Sequence, residues 1–276
     1  MKNSNSNIKI INSNQSYFPD VREILEFKSL LYYLVLKDIK TRYSQSIIGI
    51  GWAIIQPIFF MIVFTIIFGK LAKIESEGAP YALFSYCALV PWTFFANGLA
   101  DSSSSLITNI SLVTHTYIPR ILIPFSSIIG KFIDFIITFL ILILMMFWFG
   151  YGLNFKIFLS IFYILLMMIS SLGFGLILGT MATQYRDVKH ALSFGVQLFM
   201  YATPVAYSTN IIPEQYRVFY ALNPMVTVVE GFREIFINAG VIDLNMILVS
   251  VITSLVILVI GVMYFSKIER IFADVI

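Results

Sequence analysis

The chain has 276 residues, of which 59% are hydrophobic and only 12% are charged. Soluble domains carry about 25% charged residues, so this composition excludes an ordinary water-soluble protein. The net charge of +3 gives no basis for a nucleic-acid partner. The apolar residues fall into blocks of about twenty, the length at which a helix crosses ~30 Å of hydrocarbon. The sequence therefore predicts an all-α integral membrane protein of the plasma membrane.

The N-terminal region is more polar than the rest. Residues 1–22 hold too little apolar surface to fold or insert, which predicts a disordered cytosolic tail. The remainder, 23–276, is predicted to form a single transmembrane domain. Glu23 to Tyr43 mix apolar and basic residues in a spacing typical of an amphipathic helix that lies in the membrane interface.

Six spanning helices are predicted after the interface helix. They are residues 47–69, 82–100, 121–149, 157–180, 188–207 and 244–265. A short cytosolic helix is predicted between the second and third spans, after the polar run Asp101 to Ser105. Gly175 and Gly179 form a small-residue pattern typical of close helix packing.

The stretch at 211–238, between the last two spans, is apolar but interrupted by prolines and charges. It predicts two short re-entrant helices that dip into the membrane from outside, because backbone at that depth needs protein or water around it. Basic residues concentrate near the N-terminus, around Arg186 and in the C-terminal tail. This asymmetry predicts that both termini are cytosolic.

The sequence lacks the usual chemistry of an active site. There is no glycine-rich loop ending in Gly-Lys-Ser/Thr, no metal-ligand cluster and no catalytic set of side chains. The single cysteine, Cys87, excludes an intramolecular disulfide. Lys131 and Asp134 are three residues apart in a predicted span, and mutual neutralisation is favoured over a proton relay. We therefore expect a chain that is not an enzyme and holds no cofactor, so that uphill transport needs a separate ATPase.

Aromatic residues make up 16% of the chain. Because sugar rings can stack on aromatic faces, a subset is predicted to line a conduit, with packing and lipid contact as the alternative for each. The candidates are Trp52, Phe59, Trp92, Phe95, Phe194 and Tyr201.

Five stretches together resemble the permease subunit of polysaccharide-exporting ABC transporters, the group that exports O-antigen, capsular polysaccharide and teichoic acid. They are KDIKTRYSQSIIGIGWAIIQP (Lys37 to Pro57), VPWTFFANGLADSSSSL (Val90 to Leu106), YIPRILIPFSSIIGKFIDF (Tyr117 to Phe135), YRDVKHALSFGVQLFMYATPVAYS (Tyr185 to Ser208) and YALNPMVTVVEGFREIF (Tyr220 to Phe236). The resemblance covers nearly the whole chain from about residue 23. Lys37 departs from it, since many members carry arginine before the aspartate.

The resemblance implies a homodimer with its conduit at the subunit interface and two cytosolic ATPase subunits that bind ATP and Mg²⁺. It also implies an undecaprenyl-type lipid-linked glycan as substrate, membrane lipid around the chain, and roles for two sets of residues. The residues implied to contact the ATPase are Lys37, Asp38, Asn109, Leu112, His115, Tyr117 and Arg120. The residues implied to form an external gate are Pro204, Asn223, Pro224, Met225, Glu230 and Arg233. Lys40 and Arg42, on the cytosolic basic rim, are candidates for contact with the lipid phosphates.

Two alternatives stay open on the sequence. A small-molecule or drug exporter shares the six-helix plan but usually lacks the PWTFF and NPM stretches. A membrane-embedded glycan enzyme needs an acidic or metal site that faces a cavity, whereas Asp134 is expected to be the only buried acid and has a lysine partner. A co-purifying ATPase distinguishes an exporter from an enzyme.

Overall fold

The computed structural model describes residues 21–44, 48–116, 118–152 and 154–269. The predicted tail at 1–22 lies outside this range except for its last two residues, which begin a helix. All regular structure in the described ranges is helical. This agrees with the all-α class predicted from the sequence.

Twelve α-helices follow one another through the described ranges. In chain order they are α1 (Val21–Glu26), α2 (Lys28–Tyr43), α3 (Gly51–Phe64), α4 (Tyr81–Thr108), α5 (Ile110–His115), α6 (Leu122–Gly130), α7 (Phe132–Trp148), α8 (Ser160–Gln184), α9 (Asp187–Tyr201), α10 (Glu214–Tyr220), α11 (Pro224–Ile237) and α12 (Leu244–Ile268). Helix α3 continues as a π-helix over Thr65–Leu71, and short 3₁₀ turns lie at Phe155–Leu159 and Thr209–Ile211.

Five helices in the described residues are long and apolar enough to cross a membrane. They are Gly51–Leu71, Tyr81–Thr108, Leu122–Trp148, Phe155–Gln184 and Leu244–Ile268. The fifth predicted span, 188–207, is instead the 15-residue helix α9, which ends at Tyr201. At 1.5 Å per residue, α9 alone is shorter than the ~30 Å hydrocarbon core.

Two predicted boundaries differ from the structure. The second span does not end at residue 100, because α4 continues to Thr108 through the polar run. Serine hydroxyls in that run donate to carbonyls of their own helix, as Ser103 does to Ala100 at 2.9 Å and Ser105 to Ser102 at 2.7 Å. The third span is divided at Lys131 into α6 and α7. At this point the Gly130 carbonyl accepts a hydrogen bond from the Arg42 guanidinium, at 3.3 Å.

Helices α4 and α11 form the interior. Every residue of α11 except Glu234 is buried, and α11 packs against α4, α8 and α12. The close packing predicted for Gly179 is present, since a Cβ there would lie 3.2 Å from the Ser103 backbone. A larger residue at this position would push α8 away from α4.

Helices α3 and α9 lie at the periphery. Helix α9 has no buried residue and touches the rest of the chain through α4 and α8. Helix α3 buries only Pro57 and Phe64. Both helices therefore leave a broad lateral face uncovered.

Candidate functional site

Helix α2 is attached to the spanning helices by polar contacts. It packs along α6, and Lys37 Nζ donates to Asn109 Oδ1 at 2.6 Å, beyond the end of α4. At the next residue of α2, the Asp38 carboxylate accepts from Ser127 Oγ of α6 at 3.3 Å. Burial raises the pKa of Asp38, and the Ser127 hydrogen bond and the charges of Arg42 and Lys37 act against that rise.

Four charged side chains, here called the charge network, join α2, α4 and α7. Arg42 lies 3.1 Å from Asp134 and 3.2 Å from Asp101, and Lys131 lies 2.9 Å from Asp101. The Tyr43 hydroxyl also donates to Asp134. The two cations and two carboxylates make the network electrically neutral. Because its members are half-buried, removing one of them leaves a charge that is poorly solvated and uncompensated.

The predicted pairing of Lys131 with Asp134 is only the longest contact of this network, at 3.9 Å. Arg42 is the nearer cation to Asp134. The sequence predicts that Arg42 contacts lipid phosphate. In the structure, its guanidinium lies against the carboxylates of Asp101 and Asp134. Lys40 is exposed. The phosphate role of both residues stays a prediction.

The remaining candidates for ATPase contact are spread around α5. Asn109 is buried, and Leu112 packs in the small apolar cluster that includes Leu34 of α2. The Arg120 guanidinium donates to the Glu269 carbonyl, which joins the loop before α6 to the end of α12. The side chain of His115 and the whole of Tyr117 lie outside the described residues.

Glu230 and Arg233 form a fully buried ion pair at 3.1 Å on α11. Glu230 Oε1 also accepts from Thr209 Oγ1 at 2.7 Å, and Oε2 accepts from the Val241 backbone N–H at 2.9 Å. Arg233 donates to the Tyr207 carbonyl at 2.9 Å and to the Val205 carbonyl at 3.0 Å.

The expectation that Asp134 is the only buried acid is therefore wrong. The three-residue spacing lets Glu230 and Arg233 neutralise each other. Backbone groups bond to Glu230 Oε2 and to both terminal nitrogens of Arg233, whereas the buried Arg233 Nε has no hydrogen-bond partner among the described residues. The Arg233 guanidinium also lies 3.6 Å from the centre of the Phe84 ring on α4. The pair thus connects α11, the segment after α9, and α4.

The other predicted gate residues belong to the same unit. Asn223 caps α11, accepting from the Met225 N–H at 3.0 Å, and Pro224 occupies the first turn. The Asn223 amide also donates to Thr203 Oγ1 at 2.9 Å, next to the buried Pro204. The six residues predicted to gate the exit are thus joined around α11, while their gating role stays a prediction.

The six candidate conduit aromatics fall into two groups. Trp92 and Phe95 are buried in α4 and lie 6.1 Å and 5.8 Å, centre to centre, from the Phe199 ring. The other four are more than half exposed. They are Trp52 and Phe59 of α3, and Phe194 and Tyr201 of α9. The sequence could not separate the groups, because both have the same residue types inside apolar segments.

The structure defines a multi-pass helical membrane protein whose polar groups fasten helices to one another. In the ranges that it describes, no group of three or more His, Cys, Asp or Glu side chains is placed to hold a metal ion. Residues 29–237 match the family described as "ABC-2 type transporter". The chain belongs to the ABC-2 type transporter family and is a multi-pass protein of the plasma membrane.

Several characterised proteins are similar over most of their length. The O-antigen export system permease protein RfbA of Klebsiella pneumoniae is 29% identical over 89% of this chain and 94% of its own. A protein of the same name from Myxococcus xanthus is 25% identical over 78% of this chain and 83% of its own. The polysialic acid transport protein KpsM of Escherichia coli is 23% identical over 73% of this chain and 78% of its own.

Proposed function

We propose that this chain is the channel-forming subunit of an ABC transporter that exports a lipid-linked polysaccharide across the plasma membrane. The observation that carries the proposal is the similarity to an O-antigen export permease over 94% of that protein's length. O-antigen is the favoured cargo, with capsular polysaccharide or teichoic acid as the other members of the class. The lipid carrier is of the undecaprenyl type.

In this proposal the energy comes from two copies of a separate cytosolic ATPase that binds ATP and Mg²⁺. The contacts of α2 support a mechanical connection, since Lys37, Asp38 and Arg42 each reach a different part of the spanning region. A force applied to α2 would pass to α4, α6 and α7 through these contacts. The exposed residues of α5, among them Ile110 and Ser111, would offer a second docking surface.

The transporter is proposed to be a homodimer whose conduit lies between the two copies. The uncovered faces of α3 and α9 support this, because both carry large exposed aromatics. Trp52 and Phe59 on one face, with Phe194 and Tyr201 on the other, would give a surface along which sugar rings can slide.

Both termini are proposed to be cytosolic, which requires an even number of spans. Helix α9 would supply the sixth span together with the segment that follows it. That segment includes Thr203, Pro204 and Val205, which are buried, so protein surrounds its non-helical backbone as the membrane interior requires. Helices α10 and α11 would then be the re-entrant pair, and the six residues around α11 the external gate.

The lipid phosphates are proposed to enter at Lys40 and Arg42. Lys40 is exposed on α2, one turn beyond Lys37, whose ammonium is bonded to Asn109. Its ammonium is therefore available to an anionic group that arrives from the cytosolic side.

Co-expression with a tagged candidate ATPase tests the proposal directly. The pair, purified in detergent, should form a two-to-two complex that hydrolyses ATP. Cells that lack this permease should regain surface polysaccharide when the chain is supplied. An ATPase complex that extrudes dyes or drugs without restoring the polymer would favour a small-molecule exporter, and a chain that purifies alone would revive the enzyme hypothesis.

A further inference from the structure

A cavity of about 240 Å³ lies beside the charge network, between α3, α4 and α7. Its lining includes Arg42 of α2, Trp52 and Gln56 of α3, Asn97 of α4, and Lys131 and Asp134 of the third span. Its size corresponds to roughly eight water molecules at ~30 Å³ each, the scale of one sugar ring with its hydroxyl groups.

Two side-chain amides in this cavity have unused hydrogen-bonding capacity. Within the described residues, neither Gln56 nor Asn97 makes a side-chain hydrogen bond, although both lie in spanning helices. An amide inside a membrane is costly unless it meets a polar partner, so such residues commonly serve a ligand or pathway. Each amide offers two donors and one acceptor oxygen.

The charges around the cavity argue against an ionic ligand. Arg42 and Lys131 are each paired with Asp101, and Asp134 holds Arg42. Arg42, Lys131 and Asp134 all line the cavity. An anion would have to displace a carboxylate from Arg42 or Lys131, and a cation would meet both of these positive charges. A neutral ligand with many hydroxyls could instead bond to both amides and leave the charge network intact.

The Trp52 indole supplies an apolar face at the edge of the cavity. Trp52 is 54% exposed and lies on the side of α3 that also exposes Phe59. The cavity therefore opens beside the surface proposed as the conduit. Indole faces suit the C–H faces of sugar rings, while amides suit their hydroxyls.

We propose that this cavity is a binding site for a single neutral sugar unit of the transported glycan. The inference rests on the proposed function and deepens it, because it assigns a sugar-reading site within each subunit. Asn97 and Gln56 hydrogen-bond the ring hydroxyls and Trp52 packs against the ring. The Asp134 carboxylate accepts a hydrogen bond from another hydroxyl of the same sugar.

Trp52 fluorescence reports directly on this site. The chain has three tryptophans, so Trp92→Phe with Trp148→Phe leaves Trp52 as the only indole. This variant, in phospholipid nanodiscs free of sugar-headed detergent, is titrated with methyl glycosides of glucose, galactose, mannose, rhamnose and N-acetylglucosamine. At least one glycoside should change the Trp52 emission saturably. Asn97→Leu should weaken that binding about tenfold, the loss expected for one hydrogen bond.

The matched control is Asn245→Leu, which makes the same change at the exposed start of α12. It should leave the titration unchanged. The inference is overturned if no glycoside changes the emission, if Asn97→Leu binds as tightly as its parent, or if inorganic pyrophosphate alone produces the change. Size-exclusion profiles of each variant identify misfolded protein. Gln56→Leu is a second cavity variant, and because Gln56 is exposed this substitution disturbs packing less than Asn97→Leu.

Surface polysaccharide in permease-deficient cells separates this inference from the proposed function. If the chain restores the polymer but no glycoside binds, the sugar site fails and the export function stands. If glycosides bind but the polymer is not restored, the export function fails, and the cavity remains a sugar-binding site whose sugar does not belong to an exported glycan.

Discussion

The Arg42 guanidinium lies 3.1 Å from the Asp134 carboxylate, although 92 residues separate them in the sequence. The same side chain reaches Asp101 at 3.2 Å, so one residue on α2 fastens two spanning helices. In the proposed transport mechanism, a movement of α2 would pass to α4 and α7 through these contacts. The contact of α2 with the spanning helices should therefore be sensitive to reversal of the charge at Arg42.

Arg42→Glu is expected to abolish export while leaving membrane insertion intact. The substitution places a third carboxylate beside Asp101 and Asp134, so repulsion replaces two ion pairs at the α2 junction. Surface polysaccharide and the membrane level of the protein are measured together. Lys28→Glu, at the exposed opposite end of α2, makes the same change of charge and should retain export.

A substitution that keeps the charge tests the same junction more strictly. Arg42→Lys keeps a cation beside Asp101 and Asp134, so it should retain more export than Arg42→Glu. Normal surface polymer in Arg42→Glu would remove both the coupling role and the phosphate role of this residue.

Glu230→Gln is expected to destabilise the protein strongly. It leaves the Arg233 cation buried without its carboxylate, and breaking a buried ion pair by removing one partner costs about 3–5 kcal/mol. The midpoint of thermal unfolding in detergent should fall, followed by fluorescence or by loss of the monodisperse peak.

Glu234→Gln is the matched control, four residues further along α11. Its partner Lys156 lies 2.7 Å away, but both side chains are more than a third exposed, and exposed pairs contribute only about 0–1 kcal/mol. Equal shifts in the two variants would contradict the distinct role assigned to the buried pair.

The spanning helices could be predicted because length and apolar composition are local properties of the sequence. The apolar blocks of α3, α7, α8 and α12 contain few polar residues that would suggest another structure. The prolines and charges in the stretch that contains α10 and α11 indicated that the helices there are short. The end of α4 was missed because three of the four serines in this run, Ser103, Ser104 and Ser105, donate to carbonyls of their own helix. Composition alone cannot distinguish such serines from a polar loop.

The charge network could not be predicted, since its members come from distant parts of the chain. Asp101 stands 59 residues from Arg42 and belonged to a run that resembled an exit from the membrane. The three-residue spacing of Glu230 and Arg233 was visible, but their burial depends on Thr209 and the Val205 and Tyr207 carbonyls. Only the folded arrangement brings these groups together.

The two groups of aromatics should respond differently to alanine. Phe59→Ala, on the exposed face of α3, should reduce export without lowering stability, because the ring is 63% exposed and little packing is lost. Phe95→Ala, inside α4, should destabilise the protein by about 3–5 kcal/mol through the cavity it leaves. Surface polymer and thermal midpoint are measured for both. Full export with Phe59→Ala would argue against a conduit on that face.

Cysteine labelling tests the proposed orientation. On a Cys87→Ala background, Glu214→Cys places a thiol at a side chain that is 90% exposed at the start of α10. An external membrane-impermeant thiol reagent should label it in intact cells, because α10 is proposed to face the outside. Thr114→Cys, exposed on α5, should be labelled only after the cells are permeabilised.

Val228→Cys is the control for burial, since Val228 is 0% exposed inside α11. It should resist the reagent from both sides in the folded protein and react after denaturation. Exclusively internal labelling of Glu214→Cys would overturn the six-span topology. The chain would then place α10 and α11 on the cytosolic side, where Glu230 and Arg233 could not belong to an external gate.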